Sequence, residues 1–169
     1  MNTLSQVYLS VGSNIGDRHA NCTRGIELVN DLVDSSVKGI SGFYYTEPVD
    51  FTDQGWFVNG AFELETRLDP FELMVQLKKT ENRVGQYEKD VRFGPRILDL
   101  DIIFFGSRVI TEDLLTIPHP RMDKRCFVLK PLCDIASEFV HPVSGLTMKH
   151  LLAEMEHTHG QEVKPYPGH

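Results

Sequence analysis

Hydrophobic and polar positions along the chain predict a strand, a helix, two strands, a second helix and a further strand, followed by two shorter helices. Residues 6–11 (Gln-Val-Tyr-Leu-Ser-Val) read as the first strand, closed by the turn Gly12-Ser13-Asn14-Ile15-Gly16. Asp17 is placed to cap a helix reaching residue 32, with Cys22, Ile26, Val29 and Val33 on one stripe. A second strand is expected over 37–46 and a polar loop over 47–55. Residues 56–66 alternate well enough for a third strand, with Phe57, Ala61 and Leu64 among its apolar members. Asp69-Pro70-x-Glu72 combines an N-cap, a proline at the first helical position and an acid three residues on. The helix it starts runs to residue 84 and ends at Gly85. Leu73, Leu77 and Val84 share its apolar stripe with Glu81, a carboxylate that needs a partner there. Residues 98–105 form the most apolar strand and are expected at the centre of the sheet. Helices near 126–135 and 148–156 precede a polar tail after residue 157. This order predicts an α+β fold: a ferredoxin-like βαββαβ core forming an α/β/α sandwich with extra C-terminal helices, one domain over 1–169.

Composition narrows the function classes. A chain of 169 residues with 41% apolar and 24% charged residues has the profile of one globular domain. No apolar run is long enough to cross a bilayer, and the N-terminus lacks the basic-then-apolar pattern of a secretory signal. Cys22, Cys126 and Cys133 are scattered, which fits a reduced cytoplasmic location and excludes a disulfide framework or a cysteine zinc site. A net charge of −7 argues against a nucleic-acid partner. The charge is uneven: residues 89–130 carry +2 and the rest −9, so a local basic cluster is available for a compact anion such as a nucleotide.

The chemistry is concentrated around Leu98-Asp99-Leu100-Asp101-Ile102. Strand side chains alternate, so Asp99 and Asp101 share one face while Leu98, Leu100 and Ile102 fill the other. Two like charges side by side in an apolar strand need a positive partner, either arginine or one or two Mg²⁺ ions that also hold phosphates. Arg92-Phe93-Gly94-Pro95-Arg96 precedes the pair, and its Gly-Pro turn can aim Arg96 toward the aspartates. Downstream, Ile117-Pro118-His119-Pro120-Arg121-Met122-Asp123-Lys124-Arg125 gathers three cations and a histidine. These are the parts that phosphoryl transfer needs. The bland alternative is a strand end emerging into water with both aspartates solvated.

Together these segments resemble the 6-hydroxymethyl-7,8-dihydropterin pyrophosphokinases. The resemblance is carried by Val11-Gly12-Ser13-Asn14, Phe43-Tyr44-Tyr45-Thr46-Glu47-Pro48, Phe57-Val58-Asn59 and Glu63-Leu64-Glu65-Thr66. It continues through Gly94-Pro95-Arg96-Ile97-Leu98-Asp99-Leu100-Asp101, Ile117-Pro118-His119-Pro120, Arg125-x-Phe127-Val128-Leu129, Pro131-Leu132 and His141-Pro142, so the matching segment is about 7–152. It implies Mg²⁺-dependent transfer of the terminal diphosphate of ATP to the hydroxymethyl group of a reduced pterin, releasing AMP; a monomer is expected over an obligate oligomer. On this resemblance Asp99 and Asp101 hold two Mg²⁺ ions, Arg96 and Arg125 stabilise the triphosphate, and His119 hydrogen-bonds to it. Ile102 and Glu81 belong to the ATP side, and Arg92 to catalysis. Asn59, Phe57 and Phe127 belong to the pterin pocket, with Thr46 and Val49 in the loop that reads the pterin's other edge.

One segment departs from the family pattern. Where the family carries an arginine-rich loop after the helix-ending glycine, this chain reads Gly85-Gln86-Tyr87-Glu88-Lys89. Fewer cations over the nucleotide predict slower turnover than in a typical member. Two alternatives remain at this level: a weakly active or non-catalytic paralogue that binds pterin or nucleotide, and a nuclease or phosphohydrolase using Asp-x-Asp. The first is favoured only by the altered loop, and the second is opposed by the acidic chain.

Overall fold

A computed structural model describes residues 2–48, 55–85, 95–158 and 162–167. The strands are β1 Ser5–Ser13, β2 Ser35–Ile40, β3 Tyr44–Thr46, β4 Phe57–Thr66, β5 Asp99–Phe105, β6 Ile110–Thr111, β7 Thr116–Ile117 and β8 Val163–Pro165. The helices are α1 Arg18–Asn30, α2 Pro70–Val84, α3 Cys126–Ala136 and α4 Met148–Thr158. The main sheet runs β5-β1-β4-β3-β8, with β2 also paired to β4, and β6 with β7 makes a separate ribbon.

Local chemistry explains the helix starts. The Asp17 carboxylate accepts from Ala20 N–H, and Asp69 and Glu72 form a reciprocal capping box with Pro70 opening α2. Helices α1 and α2 cover one face of the sheet, where Val7, Leu9, Val11, Leu98, Leu100 and Ile102 meet Ile26, Leu73 and Leu77. Helices α3 and α4 cover the other, where Tyr8, Ala61, Ile103 and Phe104 meet Leu129, Leu132, Met148 and Leu151. The α/β/α sandwich is thus the predicted one. Both β1 and β4 are covered on both faces, which is why their burial is nearly continuous. Gly25 of α1 lets that helix approach β5, since a Cβ there would lie 2.7 Å from Leu98 Cδ2.

Five expectations are corrected. Among the described residues the strand over 98–105 is at an edge, paired to β1 alone within the sheet; the central strands are β1 and β4. Its apolarity comes from helices on both faces, and its outer edge is closed by the Glu81 carboxylate, which accepts from Leu100 N–H, and by His119 N–H donating to the Ile103 carbonyl. The expected single strand over 37–46 is two, β2 and β3, both along β4 and separated at 41–43. Val33 lies past the end of α1 and is 69% exposed, because that helix stops at Asn30. The tail after residue 157 carries a strand, β8, which pairs with β3. Gly12 and Ser13 also belong to β1, so the first turn starts two residues later than expected.

The thiols behave as small apolar side chains. Cys22 and Cys126 are buried and Cys133 half-buried; burial pushes Cys22 up to about 12 and Cys133 up to about 11. His141 accepts at Nδ1 from Val143 and Ser144 N–H, a turn as its proline neighbour predicts.

Candidate active site

One rung of the sheet aligns the two halves of the candidate site. Gly12 of β1 is directly opposite Asp99 of β5 on one side and Asn59 of β4 on the other. Directly paired residues face the same way, and two strand spacings separate Asp99 from Asn59 by about 10 Å. The rung continues to Tyr44 of β3. It faces α3, because Tyr44 O–H donates to the Asp134 carboxylate at 2.7 Å. Asp134 also accepts from Gly42 N–H, so α3 fixes the start of β3.

On the β4 side, Asn59 is 5% exposed and its amide donates to Thr46 Oγ, itself 1% exposed. A Cβ on Gly12 would collide with the Asn59 amide oxygen, so only glycine leaves this side chain its place. Phe57, at the start of β4, is half-buried with its Cδ1 3.7 Å from where a Gly12 Cβ would stand, and Phe127 is half-buried in the first turn of α3. The Arg125 guanidinium lies 5.4 Å from the Phe127 ring centre.

On the β5 side, Asp99 and Asp101 project from the face opposite Leu100 and Ile102, as alternation predicts. Burial, then the neighbouring Asp99 and Glu81 charges, push the Asp101 carboxyl up to about 8, with Lys78 and Arg125 acting in the opposite sense. The pair is thus a place where a further cation relieves an existing penalty. All the donors are hard oxygens, and two carboxylates with substrate phosphates are what Mg²⁺ uses beside a nucleotide. Among the described residues no group of three or more His, Cys, Asp or Glu converges as a metal cluster. The residues present therefore fit Mg²⁺ held jointly with phosphate, not an all-protein cage.

A cleft of about 290 Å³ runs along the outer edge of β5, lined by Met74, Leu77, Lys78, Asp101, Thr116 and His119 among others. His119 Nδ1 accepts from Arg121 N–H, so a neutral ring carries its proton on Nε2. Burial, followed by the Arg125 charge, pulls His119 down to about 4 and keeps it neutral at pH 7. It is therefore a hydrogen-bond donor rather than a cation. Glu81, 2% exposed, divides its oxygens between Leu100 N–H at 2.8 Å and Lys78 Nζ at 3.4 Å. Replacing Glu81 by Ala leaves the Leu100 N–H buried without its acceptor, and should cost about 1–3 kcal/mol. Urea denaturation would read the loss, and Glu81→Gln, which still offers an acceptor, should recover most of it.

Arg96, which its turn is expected to aim toward the aspartates, is anchored through its backbone to Asn14. Its N–H donates to Asn14 Oδ1 at 2.8 Å, its carbonyl accepts from Asn14 N–H, and its Nη1 donates to the Pro95 carbonyl. Asn14 also donates to the Gly55 carbonyl, so it ties the bases of two loops together. Among the described residues, the cations whose fields reach Asp101 include Lys78 and Arg125. Lys78 was not singled out by sequence, although its position three residues before the apolar-stripe Glu81 was the available signal. Arg92 and Val49, with the loop residues Gln86 to Lys89, lie outside the described residues.

The arrangement defines a class first. It is an α/β/α sandwich with a carboxylate pair on an edge strand and an amide pocket two strands away. Its fold matches the Plasmodium falciparum HPPK-DHPS chains: the wild-type structure gives a TM-score of 0.73 at 15% identity, covering 91% of this chain and 45% of that one. Residues 8–137 match the family model of 7,8-dihydro-6-hydroxymethylpterin-pyrophosphokinase (HPPK), and the chain belongs to that family. It is 41% identical over 131 residues to the Bacillus subtilis 2-amino-4-hydroxy-6-hydroxymethyldihydropteridine pyrophosphokinase, covering 78% of each chain. To the Aquifex aeolicus protein of the same name it is 35% identical, covering 89% of this chain and 92% of that one. It is also 41% identical over 148 residues to the Pneumocystis carinii folic acid synthesis protein fol1, but spans only 19% of that longer protein.

Proposed function

We propose that this chain, acting as a single domain, transfers the terminal diphosphate of ATP to the hydroxymethyl group of 6-hydroxymethyl-7,8-dihydropterin in folate synthesis, releasing AMP. The observation that carries the reading is the Asp99–Gly12–Asn59 rung, which sets a carboxylate pair and a buried amide on one face at about the separation of a phosphate chain and a bicyclic ring. Membership of the family and the relatives' names supply the reaction class.

Asp99 and Asp101 would hold Mg²⁺, which supplies charge neutralisation at the phosphates when bound. The protein's own groups complete the balance. Arg125, at the N-terminal end of α3, meets the same field as Asp101, and His119 Nε2–H offers a neutral donor to a phosphate oxygen. Asn59 presents an amide that can donate and accept toward the aminopyrimidinone edge, with Thr46 fixing its orientation. Phe127 offers a ring face to stack on the pterin. The chain's task is then to hold the hydroxyl and the phosphate in line, the larger part of catalysis in such transfers.

The test is AMP release from ATP and Mg²⁺ with and without the pterin. AMP that appears only with the pterin supports the transfer. A folded protein that binds pterin and yields no AMP would sink it in favour of a non-catalytic binder.

A further inference from the structure

The polar tail turns back into the fold beside the proposed pterin pocket, and its contacts fall on the two ends of one loop. Strand β8 pairs with β3 so that Val163 is opposite Thr46, Lys164 opposite Tyr45 and Pro165 opposite Tyr44. At the loop's start, Glu47 N–H donates to the Glu162 carbonyl and Glu162 N–H donates to the Glu47 carboxylate at 2.8 Å. At its end, the Lys164 ammonium lies 5.6 Å from the Trp56 ring centre, and Arg18 Nη1 donates to the Trp56 carbonyl at 2.7 Å. Tyr166 locks the strand from beyond: its N–H donates to the Phe43 carbonyl, and its ring stacks on His19 at 5.0 Å and meets Tyr45 edge-on at 4.9 Å.

We propose that residues 162–167 are a positioning element for the pterin side, fixing Thr46 and the two ends of the loop between Glu47 and Trp56. The physical reason lies in what β3 lacks. It has only three residues, and without β8 its outer edge and the Glu47 N–H face water. Thr46 holds the Asn59 amide, so play in β3 passes directly to the group that reads the ring. None of these tail residues lines the β5 cleft or faces the aspartates, so the nucleotide side is expected to be insensitive.

This inference rests on the pterin reading, and its test separates the two. Pterin and ATP affinities are measured by calorimetry on the full chain, with thermal stability alongside, for wild type, Lys164→Ala, Tyr166→Ala and Tyr166→Phe. Tyr166→Ala should weaken pterin binding about 10- to 100-fold, with ATP affinity unchanged, because a small misplacement of a reading group is costly. Lys164→Ala, at an exposed position, should give a smaller change of the same kind. Tyr166→Phe keeps the ring and the backbone donor and should bind pterin like wild type. Unchanged pterin affinity in Tyr166→Ala and Lys164→Ala overturns the inference, as does an equal loss for both ligands that follows thermal stability. Wild type that binds no pterin sinks the functional reading itself, and the inference with it.

Discussion

Asp99→Asn and Asp101→Asn should each lower pterin-dependent AMP formation by a factor of about 10³ or more, since each removes charge where the transferred group's charge must be balanced. The same changes should leave the fold intact or slightly more stable, by up to about 1 kcal/mol. The opposite signs follow from the geometry. Asp101 is held with its carboxyl up at about 8 because burial, Asp99 and Glu81 all disfavour its charge. Either change removes a carboxyl group whose charged form is disfavoured beside its neighbours, which relieves the folded state while depriving Mg²⁺ of a ligand. AMP assays at saturating ATP and Mg²⁺, paired with urea denaturation, read both quantities. Loss of activity accompanied by loss of stability would assign the aspartates a structural role, most simply as partners of Lys78 and Arg125.

The aspartates were legible in sequence because a strand's two-residue period is the simplest rule available, and apolar residues on the alternate face weighed against a solvated strand end. Glu81 was legible for the same reason in a helix: its place on the Leu73–Leu77 stripe required a buried partner. The identity of that partner was not, because Leu100 N–H is reached only through tertiary packing of α2 against the β5 edge. Strand order was misjudged where hydrophobicity was taken to mean centrality. β5 is apolar because helices cover both its faces, and its edge is protected by a side chain and a loop rather than by another strand. The tail was read as polar, and so it is; β8 is held by backbone pairing and aromatic contacts to His19 and Tyr45, which composition does not register. Arg96 shows the limit of motif reasoning. The residue that fixes its backbone, Asn14, is 82 positions away in sequence.

Asn59→Ala should lower kcat/KM for the pterin about 10²- to 10³-fold while leaving ATP affinity within about twofold, because a site built on a buried amide loses both a donor and an acceptor. Thr46 then loses its donor as well, so the pocket forfeits more than one contact. Gly12→Ala provides the independent check, since it keeps every polar atom and acts only by space. The added methyl collides with the Asn59 oxygen, so the amide must rotate or β1 and β4 must part. β1 and β4 pair along nine residues of β1, from Ser5 opposite Thr66 to Ser13 opposite Val58, so the side chain is the softer of the two. The variant should therefore reproduce most of the Asn59→Ala defect, and the double variant should be little worse than either alone, as expected for two changes acting on one contact. Pterin kinetics on the three variants decide it. Additive losses would mean that Gly12 serves the β5 side of the rung, where Asp99 stands opposite it, rather than the amide.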